Sequence, residues 1–209
     1  MGLTVVTHTR GNRPEYLRRC QESVAADLPA GATHLVIHTE ELMAARWHAL
    51  TLDDVVCFVD DDDIVVNSSV SRCYQLLQQQ DLGLVYTGEA ETDAEGNVVS
   101  EHVPVPMPVA GITLGPRVVH HLAMFRTAAV RDECWDLYRR FNAGLEWFMR
   151  VSAAASGIAC IPIVGYHWRQ HDANHSRTSS WDTVYRERQW EMALALRPWI
   201  TVDAVIPHW

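Results

Sequence analysis

The chain has 209 residues, 48% of them apolar, and a formal net charge of −9. That length and apolar share suit one domain with a sizeable core, while the acidic balance argues against an extended nucleic-acid surface, which needs a basic face. All 17 basic residues are Arg, so neither a phosphate loop with its Lys nor a Schiff-base Lys is available.

Leu3 to Thr7 reads as a short apolar strand and His8 to Arg13 as a polar loop. Pro14 opens a helix on which Tyr16, Leu17, Cys20 and Val24 recur at helical spacing, and Pro29 and Gly31 end it. His34 to His38 is a second strand, Glu40 to Leu50 a second helix, and Val55 to Val59 a third strand, apolar throughout and so buried on both faces. This alternation predicts an α/β fold with a parallel sheet and covering helices. Asn67 or Ser68 caps a third helix with Val70, Cys73, Tyr74 and Leu77 on one face. Leu84 to Thr87 is a strand, Asp93 to Asn97 a turn, and Val98 to Val103 its hairpin partner. Val103 to Pro108 alternates proline with apolar residues and reads as an extended connector. It divides one domain, 1–209, into halves 1–108 and 109–209. Beyond it come a loop from Gly111 to Val119, a strand from His120 to Phe125 and helices over Thr127 to Phe141 and Leu145 to Ala155. Ile158 to Arg169 is strand-like, Gln170 to Ser180 polar and mobile, and Trp181 to Arg197 a closing helix stopped by Pro198.

The start, Met1-Gly2-Leu3-Thr4-Val5-Val6, has no basic region before an apolar run and does not read as a signal peptide. No stretch reaches the roughly 18 apolar residues of a membrane span. Cys20, Cys57, Cys73, Cys134 and Cys160 are scattered, with no Cys-x-x-Cys pair. They read as reduced structural thiols in a cytoplasmic protein.

The third strand runs into Asp60-Asp61-Asp62-Asp63. Four consecutive carboxylates repel one another unless something positive joins them, and the strand ends of an open α/β sheet are where such folds place ligands. A hard cation shared with a phosphate is the simplest occupant; a solvated acidic turn is the alternative.

Three further stretches stand in order around this run. Thr4 to Val24 (TVVTHTRGNRPEYLRRCQESV) resembles the opening of the family 2 glycosyltransferases, the acidic run resembles their Asp-x-Asp motif, Glu41 to Leu50 (ELMAARWHAL) is similar to their Ala-Arg-Asn-x-Gly stretch with Trp47 in place of Asn, and Tyr166 to Ser176 (YHWRQHDANHS) resembles their Tyr-x-x-Arg-x-His-x-x-Asn-x-Ser segment. The resemblance implies a GT-A fold: a Rossmann-like, mostly parallel sheet with helices on both faces and a small C-terminal acceptor lobe. It also implies inverting transfer of a sugar from a UDP-, GDP- or dTDP-linked donor, assisted by Mn²⁺ or Mg²⁺.

By that resemblance Asp62 binds the cation, Asp60 reaches ribose or metal, Asp61 neighbours them, and Asp63 contacts the sugar. His171 completes the metal shell, Arg169 meets the diphosphate or pairs with the acidic run, and Arg10 and Arg46 face the nucleotide or its phosphates. Thr7 and His8 lie beside the base, with Glu40 a further base contact. The family's catalytic base stands in a Glu-Asp pair before an Arg; here Gly144 to Arg150 holds one carboxylate, Glu146. Its plainer reading is an i, i+4 surface pair with Arg150. His120 and His121 read as packing or acceptor contact. Trp147, Trp168 and Trp181 read as sugar-stacking or core residues, and Trp190 as core. The acceptor (glycan, lipid, protein or modified base) is not named by the sequence, and a small lobe would suit a site completed by a second copy.

The absent Glu-Asp pair also suits a non-catalytic module that binds nucleotide sugar or glycan. A haloacid-dehalogenase-type phosphohydrolase shares the strand ending in Asp-x-Asp but uses a downstream Lys, which this chain lacks. Turnover with a panel of donors separates the first two readings.

Overall fold

The computed structural model describes residues 1–113, 119–172 and 181–200. In chain order the elements are β1 (Leu3–Thr9), α1 (Pro14–Asp27), β2 (Thr33–His38), α2 (Leu42–Ala49), β3 (Val55–Phe58), β4 (Ile64–Val65), α3 (Ser69–Gln79), β5 (Leu84–Thr92), β6 (Val98–His102), α4 (Val109–Ile112), β7 (Ala123–Arg126), α5 (Glu133–Phe141), α6 (Leu145–Ala154), β8 (Ile158–Arg169) and α7 (Trp181–Leu196). The strands form one sheet in the order β2-β1-β3-β7-β5-β8-β4, with β6 paired to β5. β1, β2, β3, β5 and β8 run one way and β4, β6 and β7 the other. The fold is α/β, with a mostly parallel sheet. β7 and β8, from the second half of the chain, lie beside β3 and β5 from the first, so one sheet runs through both.

Helices cover both faces. On one, Cys20 and Val24 of α1 and Val70, Cys73, Tyr74 and Leu77 of α3 pack on Leu3, Val5, Val55 and Cys57. On the other, Val6, Val56, Phe58, Leu84 and Tyr86 meet α5, α6 and α7. β3 contributes to both layers, which is why its residues are apolar without alternation. Four of the five cysteines lie in these layers, all five are free, and burial pushes the Cys20 and Cys134 thiols up to about 12. These thiols are packing groups rather than nucleophiles. Among the described residues no helix is long and apolar enough to cross a membrane.

Several boundaries differ from the sequence reading, each because tertiary hydrogen bonds outcompete local preference. β1 continues to Thr9 beside β2, so His8 and Thr9 belong to the strand and not to the loop. β5 continues to Thr92 because β8 runs alongside it as far as Arg169. The expected strand from His120 begins only at Ala123. The single helix expected over Thr127–Phe141 is split: Thr127 is bonded to the carbonyls of Asp53 and Asp54, and the Arg131 amide to Ser152. These contacts hold Val130 extended, and α5 starts at Glu133. α4 and β4 were not expected. Ser68 occupies the N-cap of α3, but its side chain makes no cap. The carboxylate of Asp27, at the end of α1, accepts from the Val70 and Ser71 amides instead. The expected loop overlaps 114–118, and most of the expected mobile segment is 173–180; both ranges lie outside the described residues.

β8 passes very close to α3. A Cβ at Gly165 would stand 2.3 Å from Thr87 Oγ1 and 2.7 Å from Ser69 Cβ, and Ser69 donates to the Gly165 carbonyl at 2.7 Å. That approach delivers Tyr166 and Arg169 to the end of β3.

Candidate active site

β1, β3, β5 and β8 all finish on one edge of the sheet, the edge at which open α/β sheets bind ligands. The acidic turn leaves β3 there, and its four carboxylates have four different surroundings.

Asp61 and Asp63 point inward and shape the turn. Asp63 is buried; the Tyr166 hydroxyl and the Arg169 amide each donate to it at 2.8 Å, and the Asp60 amide donates to the same Tyr166 oxygen at 3.0 Å. Burial, reinforced by Asp62 and Asp60, pushes the Asp63 carboxyl well above the usual range. It faces the interior rather than a sugar, which corrects that expectation. Asp61 is bonded to the Thr9 hydroxyl and to Arg13. Arg169 donates to the Asp62 carbonyl at 3.0 Å and to the Ala94 carbonyl at 2.9 Å, and its guanidinium lies over the Tyr16 ring.

Asp62 opens toward the α1 side. Its Oδ2 is 2.9 Å from His171 Nε2 and is also bonded to Arg13, which spans Asp61 and Asp62. Arg13 was missed in the sequence. The available signal was a cation immediately before the helix-opening Pro14, on the loop leaving a strand that borders β3.

Asp60 turns the other way, toward α2 and α6. Burial raises its carboxyl, but Arg46, with help from His120 and His8, outweighs this and holds it below the ordinary range. The Arg46 side chain is only 5% exposed and joins Asp60 to Glu146. Glu146 gives its other oxygen to Arg150 at 2.7 Å. The Glu146–Arg150 pair is therefore present, as spacing predicts, but buried within a network rather than on the surface. Arg150 also donates to the Val119 carbonyl at 2.9 Å, His121 stacks on Tyr166 with ring centroids 4.8 Å apart, and His120 Nδ1 lies 2.8 Å from Glu89 Oε2.

The Thr7 hydroxyl is buried against His34 and Cys20 under the sheet, which corrects its reading as a base contact through the side chain. Arg10 and Glu40 pair with each other at 3.0 Å on the exposed rim. Trp147 is core, donating to the Ile112 carbonyl; Trp168 is half-buried, edge-on to His120. Trp190 is 77% exposed, which corrects its reading as core. The side chain of Trp181, like Asn174 and Ser176, lies outside the described residues.

His8 is 6% exposed and neither ring nitrogen has a partner at hydrogen-bonding geometry. Burial, then the Arg46 charge, lowers its pKa to about 4 against the opposing pull of Asp60 and the Ala45 backbone. The unfolded chain therefore takes up this proton first as pH falls, and stability is lost from about pH 6.5 to about pH 4. His8→Gln removes that loss. Relative to wild type it should gain on the order of 3 kcal/mol between pH 7 and pH 4, read from urea melts at both pH values. An unchanged difference between the two proteins would refute a buried neutral His8.

Among the described residues no three His, Cys, Asp or Glu side chains gather as a metal-binding group. The structure brings two of the three expected ligands together, Asp62 and His171, and sets Asp60 against Arg46. A carboxylate and an imidazole, with a diphosphate and water completing the shell, fit Mn²⁺ or Mg²⁺. Arg13 stands in the same place as a counter-ion.

No protein-family model matches the sequence, and no curated protein matches it. The fold does have solved counterparts. Residues 1–349 of Staphylococcus aureus TarS in complex with UDP-GlcNAc superpose with a TM-score of 0.58 at 14% identity, covering 90% of this chain and 65% of that one. The complex of the same fragment with UDP gives 0.62 at 14% identity, covering 94% and 65%. A further crystal structure of S. aureus TarS gives 0.53 at 11% identity, covering 98% and 50%. This chain thus spans just under two thirds of the TarS fragment in those complexes.

Proposed function

We propose that this chain is an inverting glycosyltransferase that takes its sugar from a nucleotide-diphosphate donor. The observation that carries the reading is the split acidic turn: one edge of the sheet presents Asp62 with His171 on one side and Asp60 with Arg46 and Glu146 on the other. The first pair would hold Mn²⁺ or Mg²⁺, which when bound neutralises charge on the departing diphosphate. Arg13 balances Asp61 and Asp62 before the donor arrives. Arg46 lies on the Asp60 side of the turn, where a planar multi-donor cation suits an oxyanion, and Glu146 and Asp60 keep it aimed. Arg169 sets the path of the turn from beneath. His8, neutral and unpaired, can bond to a base or ribose, and Arg10 and Glu40 pair with each other on the rim. TarS, which shares the fold, has been captured with UDP-GlcNAc and with UDP, so UDP is the first nucleotide to try.

The test is thermal stabilisation by UDP, GDP, dTDP, CMP and their sugars, each with Mn²⁺ and with EDTA. Ligand at 100 times its Kd stabilises by about 2.7 kcal/mol, a rise of roughly 5–10 °C. One nucleotide class giving that rise in Mn²⁺ and losing it in EDTA is the expected result. No shift with any nucleotide overturns the reading.

A further inference from the structure

Inverting transfer needs a group that takes the proton of the attacking hydroxyl. Glu146 is poorly disposed for it. Its two oxygens are engaged by different guanidiniums, Arg46 and Arg150, and both cations are buried. Protonating Glu146 would leave those two charges facing each other without their bridge.

His120 has the opposite disposition. Its Nδ1 is fixed by Glu89 Oε2 at 2.8 Å, and Nε2 has no hydrogen-bond partner among the described residues. The ring is partly open to solvent, with 29% of the side chain exposed. It belongs to the same side of the acidic turn as Asp60, since the ring of His121, 4.3 Å from that of His120, reaches to 3.8 Å of Asp60 Oδ2. The backbone around it is pinned from both directions. Arg150 holds the Val119 carbonyl, and the Thr87 amide donates to the Leu122 carbonyl at 3.0 Å. Burial raises the Glu89 carboxyl, but the bond to His120 and, once the ring is protonated, its charge, with Arg150, bring it below the ordinary range, so Glu89 is the anion that faces the imidazolium. A carboxylate fixing one nitrogen and leaving the other free is how an imidazole is made a directed base. Trp168, edge-on to the His120 ring at 5.8 Å, adds an apolar wall beside it.

We infer that His120, oriented by Glu89, is the general base of transfer, accepting the acceptor hydroxyl proton on Nε2, an inference that rests on the glycosyltransferase reading above. The acceptor oxygen forms its bond to the anomeric carbon as its O–H bond breaks and the proton passes to His120. The bond from the anomeric carbon to the β-phosphate oxygen breaks, and its electron pair leaves with the nucleoside diphosphate. Glu89 stabilises the imidazolium, which then releases the proton to water. Glu146 is a positioning residue for Arg46 and Arg150.

The experiment measures nucleotide release into water, with and without sodium azide, from the nucleotide sugar that stabilises the wild-type protein, starting with UDP-GlcNAc. Azide is a nucleophile with no proton to lose, so it needs no base. His120→Asn should keep donor stabilisation, lose about 100-fold or more of the release into water, and recover with azide through a glycosyl azide product. Glu89→Gln should lose about tenfold and recover likewise, while the loss in Glu146→Gln should not respond to azide. His120→Asn within threefold of wild type, a loss that azide does not repair, or azide rescue of Glu146→Gln in its place overturns the inference while leaving the donor reading standing. A wild type that no nucleotide sugar stabilises, or that binds one and turns over neither water nor azide, overturns the transferase reading and this inference with it.

Discussion

Asp62→Ala should abolish Mn²⁺-dependent stabilisation by the nucleotide donor and lower transfer by about 100- to 1,000-fold, the scale on which removing a charge-stabilising group acts, while leaving the fold intact. Asp62 is the one carboxylate of the turn that meets both His171 and Arg13 at the open end of the sheet. The folded turn does not depend on its side chain: Arg169 grips its backbone carbonyl, and Asp63 carries the bonds to Tyr166 and to the Arg169 amide. Arg13 keeps Asp61 as a partner in the variant. The measurement is the melting temperature with UDP in Mn²⁺ and in EDTA, beside a far-UV spectrum. Donor affinity unchanged in the variant would remove Asp62 from the metal site, and a melt already broadened without ligand would mean that the turn leans on Asp62 after all.

Arg46→Met should be strongly destabilising. It replaces a buried cation by an apolar chain of similar length, leaves Asp60, whose side chain is 38% exposed, without its guanidinium, and leaves Glu146 with Arg150 alone. Breaking a buried ion pair from one side costs about 3–5 kcal/mol; with Asp60 partly exposed and Glu146 still held by Arg150 the loss falls at the lower end, which for a chain of this size lowers the melting temperature by on the order of 10 °C. Combining it with Asp60→Asn should return part of that loss, because the second change removes the carboxylate left without its cation. A single variant melting within a degree or two of wild type, or strictly additive losses in the pair, would show that the network does not hold this edge together. Donor binding should fall in the same variant, since Asp60 then lacks the cation that directs it.

Much of the fold was legible because it rests on local pattern. The unbroken apolar run of β3 can only be a strand covered on both faces, and the helical spacing of Tyr16, Leu17, Cys20 and Val24 behind Pro14 predicted α1. The mixed part of the sheet was less legible. β7 was expected as a strand, starting three residues early, but its antiparallel place between β3 and β5 was not, and β4, two residues long, carries no periodicity that distinguishes it from a loop. The limits of β5 were hidden for a related reason, since its last residues are strand only because β8 lies alongside.

The sequence by itself determined that carboxylates gather at the end of a buried strand, that Arg is the only permanent cation available to them, and that Glu146 and Arg150 share a helix face. Those facts follow from residue identity and from the periods of helix and strand. Only the tertiary structure decided which carboxylate meets which cation. Successive residues of a tight turn point in different directions, so Asp61 and Asp63 went inward, Asp62 toward His171 and Arg13, and Asp60 toward Arg46. It alone brought Glu89 and His120, 31 residues apart, to one hydrogen bond, because their proximity depends on how β5 and β7 pair across the sheet.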